Sequence, residues 1–169
     1  PGVVIGYFHQ DHATLDFDLN PVEQIEALRP DLQYGDIRGA LGRFQFTSDK
    51  VKTPLKALSG GERARVALLK LLLEDNNLLL MDEPTNHLDM ESKDTLEEAL
   101  QSYEGSLVTV SHDRWFLDQV VNRIWDVNEG KVTVYYGNYT DYVRAKKGLP
   151  PLPEEEREAM ASDDPEQED

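Results

Sequence analysis

Three short clusters in this chain hold the side chains that could do chemistry. The first, Ser59-Gly60-Gly61-Glu62, stands directly before an apolar run. Ser-x-x-Glu there reads as a capping box, with the Ser59 hydroxyl taking the Glu62 N–H and the Glu62 carboxylate returning to the Ser59 N–H. A capping box does not call for Gly60 and Gly61, since each glycine costs about 1 kcal/mol against Ala inside a helix. Two bare backbone N–H groups at the positive end of a helix suit the close approach of a phosphate, so a cap and an anion site are both open readings. The second cluster is Asp82-Glu83, which closes the apolar run Leu78-Leu79-Leu80-Met81. A strand of that kind delivers two carboxylates to the carboxyl edge of an open α/β sheet, where ligands bind. An N-cap followed by a solvated acid is the plainer alternative, and Pro84 directly after the pair speaks against it. Asp82 suits the waters around Mg²⁺, an ion that keeps several waters and takes oxygen ligands. Glu83 could then polarise a water attacking a γ-phosphate. The third cluster is Ser111-His112-Asp113, after the apolar run 107–110. With Ser111 as a helix cap, His112 sits in the first turn and points toward the edge that holds Glu83. A packed or solvent-facing histidine is the alternative.

The elements that must position these groups follow from periodicity. Val3 to Phe8 is a β-branched and aromatic run that predicts a strand ending at His9-Gln10. Asn20 and Pro21 predict a capped helix through Leu28. Leu32, Ile37, Leu41 and Phe44 recur at helical spacing but are interrupted by Gly35, Gly39 and Gly42, which predicts two short helices over 31–46. From Glu62 to Glu74, Arg63, Ala67, Lys70 and Glu74 form the single stripe carrying charge, and the helix is expected to be mostly buried. Leu78 to Met81 reads as a central parallel strand covered on both faces. Leu96, Ala99, Leu100 and Tyr103 mark a further helix, 107–110 a strand and 113–121 a helix. Residues 124–127 and 132–136 pair as a hairpin across Asn128-Glu129-Gly130. In Gly137-Asn138-Tyr139-Thr140-Asp141-Tyr142, Asn138 or Thr140 caps a short final helix whose tyrosines pack on the edge strands. Trp115 and Trp125 are expected in the core. Strands alternating with helices mean α/β, with a parallel sheet that finishes in an antiparallel edge. The domain is expected over 1–147, followed by a Pro-interrupted, acidic, disordered tail over 148–169.

Composition bounds the remaining choices. The chain has 169 residues, 39% of them hydrophobic, enough for one domain with a modest core. Half of its formal charge of -16 falls in residues 154–169, where Arg157 is the lone base. A like-charged block without aromatics reads as a solvated tail, or as an arm for a basic partner. That acidity argues against sequence-independent nucleic-acid binding through bulk charge, because phosphate contacts need clustered Lys and Arg. With no cysteine, disulfides and thiolate metal sites are excluded, which fits a reducing cytoplasm. No apolar run reaches the roughly 18 residues of a membrane span. A G-x-x-x-x-G-K-[ST] phosphate loop is missing: the Gly130-Lys131 pair runs into Val132 and lacks the upstream glycine.

Leu58-Ser59-Gly60-Gly61-Glu62 together with Leu78 to Asp89 resembles the signature motif and Walker B strand of an ATP-binding cassette (ABC) ATPase. Glu83-Pro84-Thr85-Asn86-His87-Leu88-Asp89 and the Gly-Asn-Tyr ending resemble the ABC-F branch, soluble proteins with two tandem cassettes, and the likeness covers residues 3–147. It implies a P-loop NTPase cassette with a helical subdomain, here beginning after its own phosphate loop, and ATP and Mg²⁺ as cofactors. By the same resemblance Asp82 serves the magnesium, Glu83 is the general base, and His112 is the switch histidine that bonds the γ-phosphate. Gln10 resembles the Q-loop glutamine, which touches Mg²⁺ and the attacking water. Ser59, Gly60, Gly61 and Glu62 would serve a nucleotide held by the opposing cassette, which Asp89 of the D-loop also faces. The acidic ending is unlike the charged helical linker between cassettes, so the expected place is the second cassette. The family implies a ribosome partner and a cytoplasmic location. A transporter's nucleotide-binding subunit and a non-enzymatic interaction module, the latter because the phosphate loop is missing, are the rival readings.

Overall fold

Residues 2–8, 15–86 and 88–153 are described by the computed structural model of the chain. The expectations for His9, Gln10, His87 and the stretch 154–169 lie outside the described residues. The chain divides into two units, Pro1–Phe116 and Leu117–Asp169.

The first unit is built on a parallel sheet of β1 (Ile5–Phe8), β2 (Leu78–Asp82) and β3 (Ser106–Val110), with β2 in the centre. The apolar run thus forms the central strand, as its composition predicts. Its register sets Tyr7, Leu80 and Val108 in one row and Phe8, Met81 and Thr109 in the next, with Asp82 opposite Val110. Side chains alternate between faces along a strand. Phe8, Leu79 and Met81 are buried on one face, whereas Ile5, Tyr7, Val108 and Val110 are exposed on the other. Coverage of both faces, expected for a parallel strand, is therefore met on one face only: β2 alternates between buried and half-buried residues, and the described residues leave the Ile5-Tyr7-Val110 face open.

Helix α3 (Gly60–Leu73) packs against β1, and α1 (Pro21–Leu28) and α2 (Tyr34–Arg43) pack on each other and on α3, burying Ile25, Ile37, Leu41, Val66 and Leu68 fully. Asn20 caps α1 in a capping box with Glu23, and Pro21 occupies its start, where a missing N–H is harmless. Over 31–46 there is one helix, α2, and not two. Gly35, Gly39 and Gly42 lie within it, and an added Cβ at any of the three would meet nothing within 4 Å, so they sit on open surface and do not break the Ile37–Leu41 contact stripe. Two 3₁₀ turns, Lys50–Lys52 and Leu55–Ala57, lead into α3. In α3 Ala67 is buried, not on an outer stripe, while Leu72 and Leu73 are only half-buried. The α4 helix (Met90–Gln101) precedes β3, and α5 (Arg114–Val120) follows it. None of the described helices is long and apolar enough to cross a membrane.

The second unit holds the hairpin β4 (Arg123–Asn128) and β5 (Lys131–Tyr136), then α6 (Tyr139–Lys146). Glu129 and Gly130 both have positive φ, 48° and 74°, which is the two-residue turn whose twist matches a hairpin. The hairpin is a separate two-stranded sheet, not an edge added to the parallel one. Asn138 caps α6 in a capping box with Asp141, and Thr140 bonds Asp118 instead. Tyr142 packs edge-on against Tyr135 at 5.1 Å between ring centroids. Neither tryptophan is core. Trp125, 61% exposed, stands opposite Val134 on the hairpin's open face, and Trp115 is also exposed.

Two packing details give measurable consequences. At Gly6, an added Cβ would lie 2.7 Å from both Leu71 Cδ1 and Asn76 Nδ2, and Asn76 is itself pinned by bonds to the Leu71 carbonyl and the Tyr103 hydroxyl. Gly6→Ala should lower the stability of the chain by about 1 to 3 kcal/mol, the usual cost of overpacking, measured by denaturant unfolding.

Glu97 on α4 is a buried carboxyl, 7% exposed. Burial, then the neighbouring Asp94 and Asp113, push its pKa from 4.5 to about 7, against the pull of Lys93 and the Trp115 indole. An acid whose folded value is raised contributes stability at low pH and loses it as pH climbs from the unfolded toward the folded value. Glu97→Gln should therefore raise the stability of the chain above about pH 7.5 by on the order of 1 to 3 kcal/mol, with the gain vanishing below about pH 4.5. Thermal melts of both chains across that window check it.

Candidate functional site

At the carboxyl end of β2 the backbone turns sharply. Glu83 N–H still donates to the Val110 carbonyl at 2.8 Å, which carries the β2–β3 ladder one residue past the strand. Glu83 then adopts φ 48°, a left-handed conformation that costs a non-glycine residue roughly 1 to 3 kcal/mol and is found where a site over-determines it. Pro84, fully buried, and the Asn86 N–H bonding the Glu83 carbonyl at 3.1 Å lock the turn.

That turn aims Glu83 at the loop after β3. Its Oε2 accepts the His112 backbone N–H at 3.2 Å, and its Oε1 lies 3.4 Å from His112 Nε2. The Glu83 side chain is 13% exposed and the His112 side chain 97%. A nearly buried carboxylate thus touches an imidazole that is open to a ligand. His112 is not in a helical turn: α5 starts at Arg114, capped by Asp113 Oδ1 taking the Phe116 N–H at 3.2 Å, and Ser111 Oγ takes the Asp113 N–H. The cap sits two residues later than expected because aspartate fills that role, which frees the His112 N–H for Glu83.

Asp82 lies on the open face of the sheet with its side chain exposed, and it makes no hydrogen bond or ion pair to the described residues. An exposed carboxylate at a strand end fits a hard, water-bearing cation such as Mg²⁺. Among the described residues no group of three or more His, Asp or Glu forms a metal cage, so such an ion would need water or phosphate oxygens as well.

The N-terminus of α3 carries the predicted capping box: Glu62 N–H to Ser59 Oγ at 3.3 Å and Ser59 N–H to Glu62 Oε2 at 2.8 Å. Burial pushes the Glu62 carboxyl up, but the paired Lys50 ammonium and the Ser59 bonds outweigh it and hold it below the usual range. The N–H groups of Gly60 and Gly61 belong to the first turn and have no acceptor within the helix. Gly60 is exposed, with open space where a Cβ would stand. Among the described residues no hydrogen bond or ion pair joins Ser59 to Glu62 with Asp82, Glu83 or His112.

Asp89 caps α4, its Oδ1 accepting the Ser92 N–H at 3.0 Å. The Ser92 hydroxyl, backbone N–H and Arg65 keep its carboxyl below the ordinary range, although burial opposes them. Arg65, from α3, reaches Asp89 Oδ2 at 3.1 Å and Ser92 Oγ at 3.2 Å. Sequence reading missed Arg65 and Glu97, since neither the i+24 partner of one nor the burial of the other leaves a local pattern.

The profile of the ABC transporter family matches residues 1–86. ABC transporter F family member 5 of Arabidopsis thaliana is 43% identical over 142 residues, covering 83% of this chain and 20% of its own length. The probable ATP-binding protein YbiT of Escherichia coli O157:H7 is 44% identical over 146 residues, 84% of this chain and 27% of its own. The chain therefore spans about a fifth to a quarter of the curated relatives it matches. Among solved structures, a dimeric ATP-binding cassette in a post-hydrolysis state bound to ADP and Pi superposes with a TM-score of 0.63 at 22% identity, over 79% of this chain and 63% of that one. That likeness shows the P-loop NTPase cassette fold. The profile match, the identity to F-branch relatives and this fold agree: the chain belongs to the ABC transporter family, in its F branch.

Proposed function

We propose that this chain is the part of an ABC-F ATP-binding cassette that activates the attacking water and reaches across to an opposing cassette, and that it hydrolyses ATP together with a phosphate loop lying outside these 169 residues. The single observation that carries this reading is the meeting of Glu83 and His112, a shielded carboxylate and an exposed imidazole at the carboxyl edge of a parallel sheet. Glu83 takes the role of general base. Its position beneath His112 lets the carboxylate draw a proton from a water standing above the sheet edge. His112 offers a ring N–H to the γ-phosphate from the solvent side. Asp82, with Gln10, would hold Mg²⁺, which when bound neutralises phosphate charge. Ser59, Gly60, Gly61 and Glu62 present the positive end of α3 to a nucleotide held by the opposing cassette, with Asp89 of the D-loop beside it. Two cassettes in one parent chain are supported by the F-branch resemblance, and by the same resemblance the parent is assigned a ribosomal, cytoplasmic role in translation. The non-enzymatic alternative gives no reason for a left-handed Glu83 aimed at an exposed histidine.

In the full-length protein, Glu83→Gln should keep ATP binding and lower hydrolysis by about 10²- to 10⁴-fold, because the amide preserves shape and loses the basic oxygen. Phosphate release at saturating ATP measures it, and the parental rate in the variant would remove Glu83 as the base. Gly61→Asp puts a side chain and a negative charge at a helix start that favours anions. Closure over nucleotide on the partner cassette should fail while binding at this cassette's own phosphate loop survives, each site being followed with a reporter nucleotide. The opposite pattern refutes the assignment of the α3 N-terminus to the partner's nucleotide.

A further inference from the structure

We infer that Arg65 is a positioning residue that ties the D-loop to the signature helix, so that the two elements turned toward the opposing cassette move as one piece. This rests on the functional reading above and adds to it a specific mechanical link. Arg65 lies on the second turn of α3, just past the Gly60-Gly61 start. Its side chain is 11% exposed, while that of Asp89 is 58% exposed. One guanidinium nitrogen, Nη1, holds both Asp89 Oδ2 and Ser92 Oγ, and the guanidinium carbon stands 5.7 Å from the centroid of Phe46. The other Asp89 oxygen caps α4 through Ser92. Asp89 therefore has one oxygen committed to its own helix and the other to α3, so neither the D-loop nor the α3 start can shift without the other.

A second contact strengthens the same junction. Thr95 Oγ1, one turn along α4, shares its proton between the Glu91 carbonyl of its own helix at 2.9 Å and the Arg43 carbonyl at the end of α2 at 3.2 Å. Arg65 is thus seated where α2's following segment, α3 and α4 converge. Its Nε–H is buried without a partner among the described residues. A buried donor left unmet is costly, and a flexible lysine would escape that cost. Nη1 reaches Asp89 and Ser92 from the far end of the side chain while the guanidinium carbon stands over Phe46, and a lysine is one bond shorter and has no planar group to set there, which fits a residue kept for geometry. A charge alone would not require it.

The test uses the full-length protein and separates KM from kcat. Arg65→Lys keeps the charge but is one bond shorter and lacks the planar group over Phe46; Asp89→Asn keeps the α4 cap and weakens the Arg65 bond. Each should lower kcat for ATP hydrolysis by about ten- to a hundred-fold with KM within about two-fold, since misplacement of positioned groups costs rate and not initial binding. The double variant should be no slower than the worse single one, because both act through one contact. Thermal melts accompany each, so that a loss of fold is read directly. Parental kcat in Arg65→Lys, or losses that multiply in the double variant, would overturn the link. Glu83→Gln run alongside keeps the two ideas apart: if it retains the parental rate the functional reading fails, and if it stops hydrolysis while Arg65→Lys does not, only the Arg65 link fails.

Discussion

The proposed chemistry of this chain depends on one turn, the left-handed Glu83 at the end of β2. A φ of 48° costs roughly 1 to 3 kcal/mol, and a typical backbone hydrogen bond contributes a net of only about 0.5 to 1.5 kcal/mol. The ladder bond from Glu83 N–H to Val110 is thus not enough by itself. The carboxylate accepts a charge-assisted bond from His112 N–H, Asn86 N–H donates to the Glu83 carbonyl, and Pro84 is driven fully inside. Together these offset the strain: the His112 bond fixes the side chain, and the others fix the backbone that aims it. The pairing of β2 with β3 is consequently both a fold contact and the device that sets a carboxylate under a histidine.

Charge is distributed unevenly in value as well as in place. Arg29–Asp31 and Lys56–Asp18 are solvent-facing pairs, and such pairs contribute little. The half-buried Lys93–Asp113 pair at 2.7 Å differs, because it joins α4 to the segment that follows His112. Lys93 and the bond to the Phe116 N–H hold the Asp113 carboxyl below its ordinary range even though burial pushes it up. Glu97, one turn from Lys93, is pushed the other way, because burial and the nearby acids outweigh the same lysine. Two carboxyls beside a single cation, one on its own helix and one on the loop before α5, thus part company according to which of them the ammonium touches.

Much of this was legible in the residues. The Leu78–Met81 run, the capped starts of α1 and α3 and the Glu129-Gly130 turn are local patterns, and local patterns survive into the fold. The errors share a cause. The glycines of α2 look like helix breakers in sequence, yet they lie on its open side, and only tertiary contact makes Ile37 and Leu41 one stripe. Trp115 and Trp125 were assigned to the core by type, but burial depends on what packs above a side chain, and the faces that carry them are open. The placement of His112 turned on whether Ser111 or Asp113 caps α5, two polar residues that a sequence cannot rank. Arg65–Asp89 and the raised Glu97 are products of distant segments meeting, and no periodicity encodes them.

The two readings left open at Ser59 are compatible in the folded chain. A capping box consumes the N–H groups of Ser59 and Glu62. A helix start has further orphan donors, here those of Gly60 and Gly61, and the box holds them in place without using them. The Lys50 ammonium on Glu62 offsets the carboxylate that would otherwise repel an anion at this end. Gly60, with open space at its missing Cβ, gives access that no packing demand explains. The cap therefore orders the helix start, and Gly60 leaves it open on the surface, which is compatible with the proposed role toward a phosphate on another surface.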